Sequence, residues 1–130
     1  MIETDILAIF ADAIDGGKRL NEIADEFRSG RDVNELLVLL DSDNFELVSA
    51  GAWILGELSF DLYNSDRFLS RLRALLDHQD PAVRFRALSA VFPALNGQDA
   101  ATLALLSKLR SDPNEGVRMS AEAAAARLLT

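Results

Sequence analysis

Residues 80–95 read DPAVRFRALSAVFPAL, and two other stretches repeat their pattern. ELVSAGAWILGEL from Glu46 and GVRMSAEAAAARLL from Gly116 align with them when Leu47, Val83 and Val117 are set equivalent, 36 and 34 residues apart. Each stretch is rich in small side chains, and each follows a leucine-rich segment and an Asp-containing turn. A period this long exceeds any coiled-coil heptad and has the size of one helix pair, the unit from which stacked helical arrays are built.

Working outward, the segment before each turn carries leucines at helical spacing: Leu36, Leu37 and Leu40; then Leu69, Leu72, Leu75 and Leu76; then Leu103, Leu105, Leu106 and Leu109. Such lines predict helices facing a core. The turns Asp41-Ser42-Asp43-Asn44, Asp77-His78-Gln79-Asp80-Pro81 and Ser111-Asp112-Pro113-Asn114 supply Asp for capping the next helix and Pro for its first turn. In the second helices, offsets four, seven and eight from the aligned residue hold Gly51, Ile54, Leu55; Ala87, Ala90, Val91; and Ala121, Ala124, Ala125. Small side chains at these positions let helices approach closely. The first 31 residues predict a further helix pair, with Ile6, Leu7, Phe10 and Ile14 on one face, a Gly16-Gly17 break, and Leu20, Ile23, Ala24 and Phe27 on the next. This divergent pair is expected to cap the stack, because a terminal unit must present one side to solvent.

Composition narrows the function. The chain has 130 residues, 49% hydrophobic and 26% charged, with a formal net charge of −8 and no Cys. One domain is expected. No apolar run reaches the roughly 18 residues of a membrane span, and Met1-Ile2-Glu3-Thr4-Asp5 lacks the basic start of a secretory signal. The expectation is a cytoplasmic protein without disulfides. Nucleic acid is disfavoured as a partner, since phosphate binding needs clustered Lys and Arg. Membrane binding is disfavoured too, because the helices lack a basic polar face.

Catalytic constellations are scarce. The single His, His78, lies in a polar turn beside Asp77 and Asp80, with no strand-to-helix elbow around any Ser to complete a triad. Asp41 with Asp43 and Asp25 with Glu26 are carboxylate pairs, but DSDN lacks the Gly and distal Glu of a calcium loop, and helix capping explains its residues better. No enzyme, cofactor or metal site is expected.

The stretches DPAVRFRALSAV from Asp80 and VSAGAWILGEL from Val48 resemble the HEAT-repeat family, whose units carry Asp-Pro-x-Val-Arg in the turn and Ala-x-x-Ala-Leu-Gly in the second helix. The resemblance spans about residues 33–130. It implies an all-α fold, a right-handed α-solenoid of about four antiparallel helix pairs in one domain, 1–130. Within it, 1–31 is the cap, and 33–65, 66–97 and 99–130 are the units. It also implies a ladder of turn Asp and following Arg between units, with Asp80 and Arg84, and Asp112 and Arg118, at the matching positions. Val48 stands where the first Arg would be, and Asp112 lies six residues before Arg118 against four from Asp80 to Arg84, so the third turn reads as two residues longer and the ladder is expected to be incomplete at both ends.

Charge and side-chain direction then suggest a contact surface. Residues 1–65 carry 14 acidic and 4 basic side chains, residues 66–130 carry 7 and 9. Asp32, Glu35, Asp41, Asp43, Glu46, Glu57, Asp61 and Asp66 follow one another without a Lys or Arg between them. Such a patch would steer a basic protein into contact. In HEAT-like stacks the second helices line the concave surface, where offsets three, six and ten place Ala50, Trp53, Glu57; Arg86, Ser89, Pro93; and Ser120, Ala123, Arg127. Trp53, Glu57, Asp61 and Tyr63 form the leading candidate cluster, because Trp and Tyr dominate interface energetics. Glu46 and Asp43 extend its acidic side, and Arg86 and Arg127 give the groove a more basic end. By resemblance, the chain looks like a small acidic immunity protein of bacterial toxin systems, including contact-dependent growth inhibition, binding a basic nuclease-type toxin. The alternative is a scaffold or regulatory protein such as the helical-repeat subunits of bilin lyases. A monomer or weak homodimer is expected, the latter through Ala121–Ala126.

Overall fold

The structure is a computed structural model that describes residues 1–12 and 14–129. Among these there are eight α-helices and no strand: α1 (Ile2–Phe10), α2 (Gly16–Arg28), α3 (Leu36–Leu40), α4 (Phe45–Glu57), α5 (Asp66–Leu75), α6 (Pro81–Val91), α7 (Ala100–Leu109) and α8 (Glu115–Leu128). They pair as four hairpins, and α4, α6 and α8 pack side by side in sequence order. The architecture is a helical solenoid, in which each unit buries its apolar face on its neighbours.

The small residues of the second helices do what their spacing predicts. All nine at offsets four, seven and eight are buried. A Cβ built on Gly51 would lie 2.9 Å from the Leu39 Cβ, so α3 and α4 meet at a distance only glycine permits. Leu36, Leu39 and Leu40 of α3, and Leu69, Leu72 and Leu76 in and after α5, enter the same core. Leu37 and Leu75 are half-buried at its edge, while Leu103 is exposed.

The N-terminal pair differs from its expected facing. In α1 the buried stripe is Ile2, Ile6 and Ile9, whereas Leu7 and Phe10 are exposed and Ile14 is 91% exposed. The spacing 2, 6, 9 is itself one helical face, and it is the face that joins the core. In α2, Ile23, Ala24 and Phe27 are buried as expected, and Leu20 is half-buried.

The hairpin turns share one hydrogen-bonding scheme, and it corrects the alignment of the ladder. Asn44, Asp80 and Asn114 are the N-caps, their side chains accepting from the Glu46, Val83 and Val117 amides at 2.9, 3.1 and 3.0 Å. Two residues before each cap, Ser42 Oγ, His78 Nδ1 and Asp112 Oδ1 accept the cap residue's own N–H at 3.0, 3.0 and 2.9 Å. Asp112 therefore corresponds to His78, and Asp80 to Asn114. The third turn is no longer than the second.

The ladder has one rung. Arg84 donates from Nε and Nη2 to Asp112 Oδ2 and Oδ1 at 2.8 and 2.9 Å, a bidentate pair across the second and third units. Its Nη1 donates to the His78 and Gln79 carbonyls at 2.8 and 3.0 Å. Arg118 holds the equivalent Asp112 and Pro113 carbonyls at 2.8 and 3.0 Å. Between the first and second units the rung is missing from both sides, since Val48 replaces the Arg and His78 the Asp.

Candidate protein-binding face

Helices α4, α6 and α8 present their outward side chains on one face. Between α4 and α6 runs a groove of about 300 Å³ lined by Ala52, Trp53, Gly56, Glu57, Phe85, Arg86 and Ser89. Ser89 also borders a second groove of about 270 Å³ between α6 and α8, lined by Leu88, Phe92, Ser120, Ala123, Ala124 and Arg127. The two grooves share Ser89 and are together termed the channel.

Its walls are aromatic. Trp53 is half-buried, one side packed on the core, and Phe85 is 44% exposed. The Arg127 guanidinium sits over the Phe92 ring, 5.1 Å from its centroid, a geometry in which the ring's negative face attracts the cation. Arg86 is half-buried and forms no ion pair or side-chain hydrogen bond among the described residues. Burial pulls its guanidinium below the ordinary Arg range, and no carboxylate pulls it back. Glu57 lines the same groove but faces Arg28, 3.5 Å away.

Trp53, Glu57 and Arg86 line one groove, and Arg127 lines the adjoining one. Ala50, at offset three, is buried, because α4 is packed by α1 as well as by α6. Tyr63 is not a contact residue. It is 2% exposed, its hydroxyl donates to the Ala90 carbonyl at 2.7 Å, and its ring meets Phe60 and Phe68 edge to face. Burial raises its pKa. Tyr63→Phe should remove one buried hydrogen bond and about 1 kcal/mol of stability, read as a lower urea midpoint at unchanged slope.

The other acidic candidates lie apart from the channel. Asp61 is exposed in the 3-10 turn Phe60–Leu62, and Glu46 is half-buried on the first turn of α4, where a carboxylate favours the helix dipole. Asp43 lines a separate cleft at the turns with Phe45, Asp77, His78, Asp80 and Pro81. The carboxylate segment is also less bare than its sequence implies. Glu35 pairs with Arg31, Asp41 with Arg71 and Glu57 with Arg28, all three arginines coming from outside it.

The offset argument missed Ala52, Gly56, Leu88 and Ala124 and the two aromatic groove residues, Phe85 and Phe92. Offset two, where Phe85 stands, lies only about 40° around a helix of 3.6 residues per turn from offset six, so the exposed Phe was legible from periodicity. Phe92 lies beyond the end of α6, in the 3-10 turn Phe92–Ala94, where helical periodicity gives no guidance.

Among the described residues no group of three His, Cys, Asp or Glu could hold a metal, and no helix is long and apolar enough to cross a membrane. No curated protein and no solved structure matches the chain. The family model for HEAT repeats matches residues 33–126, the span holding the three hairpins whose turns share one scheme. A stack of helical hairpins with a side-chain-lined face is the form HEAT repeats use to hold other proteins or to serve as scaffolds, and this chain belongs to the HEAT-repeat family.

Proposed function

We propose that this chain is a non-catalytic protein-binding module that seats a segment of its partner in the α4–α6–α8 channel. The observation that carries this reading is Trp53, held half-buried beside the exposed Phe85 in a groove open to solvent. Aromatic side chains anchored on one side and open on the other offer large contact area at little entropic cost. The scaffold form of the reading has the better support. Neutralisation of a basic toxin rests on the net charge of −8, but the channel itself offers Arg86 and Arg127, while Asp43 and Asp61 lie outside it.

The test is affinity capture from the native host with the wild-type chain and with Trp53→Ala and Phe85→Ala. A true partner is retained by the first and lost from both variants, with purified affinity falling at least about 30-fold. An identical set of retained proteins from all three would refute the channel as the binding face. A strongly cationic partner would restore the toxin form.

A further inference from the structure

We infer that the channel selects a partner segment carrying a carboxylate beside an apolar or aromatic side chain, with Arg86 as the principal anion-binding residue and Arg127 as a second. This rests on the protein-binding reading above and adds the chemistry of the partner. In a chain with eight more acidic than basic residues, six of the eleven arginines, Arg19, Arg28, Arg31, Arg71, Arg84 and Arg110, each hold an Asp or Glu. Of the others, Arg67, Arg73 and Arg127 are exposed and Arg118 donates to two carbonyls. Arg86 has no such partner among the described residues, although it is half-buried in the groove that Trp53 and Phe85 also line.

A guanidinium removed from water without a counter-ion destabilises the fold. A carboxylate delivered by a partner supplies what is missing, in the planar two-point geometry that arginine favours. Burial lowers the Arg86 pKa with no opposing cause, consistent with that vacant position. Glu57 does not fill it, being turned to Arg28. Arg127, exposed and stacked on Phe92, forms no side-chain hydrogen bond among the described residues. The walls formed by Trp53, Phe85 and Phe92 accept the apolar neighbour of the carboxylate.

The experiment is selection of a phage-displayed random peptide library on the full chain, followed by titration of a synthetic hit against Trp53 fluorescence. Enriched sequences should pair Asp or Glu with an aromatic or large apolar residue and bind more weakly as salt rises. Arg86→Ala should weaken the hit roughly 30-fold, Arg86→Lys less, and Glu57→Gln should not weaken it. Thermal unfolding of Arg86→Ala should be unchanged or raised, separating lost binding from lost folding. Lys- or Arg-rich hits, or hits indifferent to Arg86, overturn the inference. If such hits still depend on Phe85, the protein-binding reading survives it. No enrichment on the wild-type chain overturns both.

Discussion

Replacing Asp112 by alanine should cost about 3–5 kcal/mol of folding free energy, the range for breaking a buried ion pair by removing one partner. Asp112 is 8% exposed, and its loss leaves the Arg84 guanidinium with half its hydrogen bonds unmade. The same substitution removes the acceptor of the Asn114 amide and so loosens the entry to α8. Asp112→Asn should recover part of the loss, since the amide oxygen can still accept from Asn114 but not pair bidentately. Chemical denaturation of the three proteins checks the order. The pH dependence follows with its sign. Burial opposes ionisation of Asp112, but the hydrogen bonds from Arg84 and the Asn114 amide outweigh it, so its pKa is lowered in the fold. A depressed carboxylate stabilises above its unfolded pKa of about 3.9. That contribution is complete at neutral pH and is lost as pH falls from about 4 through the folded value. Asp112→Asn should therefore show a shallower acid limb than the wild type.

Phe27→Ala should be comparably severe, about 3–5 kcal/mol, with a different signature. Phe27 is 1% exposed and anchors α2 in the core, while Arg31 lies over its ring at 4.9 Å. Because each unit touches only its neighbours, the damage should be graded along the chain. Hydrogen exchange should accelerate first in α1 and α2, then in α3, while α7 and α8 keep most of their protection. Uniform acceleration across all eight helices would show instead that the stack unfolds as one unit.

The repeat was legible because its physics is local. The offsets that must be small, the Asp80 cap and the proline of the second turn each follow from one turn of helix, so Gly51, Ala87 and Ala121 could be placed without a structure, whereas Asn rather than Asp caps the other two second helices. What escaped the sequence was decided by neighbours. Tyr63 looks like an exposed interface aromatic until Ala90, 27 residues away, supplies its acceptor. Ile14 looks like core until Ile9 takes its place. The acidic segment looks unneutralised until Arg28 and Arg71 arrive from flanking helices. The ladder was misaligned because Asp80 and Asp112 share a residue type but not a position in the turn, a difference visible only in which amide each accepts.

The single rung gives the two joints of the three-hairpin array unlike responses to their surroundings. The far joint, clasped by Arg84 and Asp112, loosens in acid, when its clasp is discharged. The near joint, where Val48 and His78 stand instead, has no buried ion pair among the described residues and relies chiefly on excluding water, beside the Tyr63–Ala90 hydrogen bond and the exposed Arg67–Asn34 and Arg71–Asp41 contacts. Its hold therefore slackens with cooling, as the hydrophobic drive fades. Cooling should thus weaken chiefly the near joint, and acid chiefly the far one.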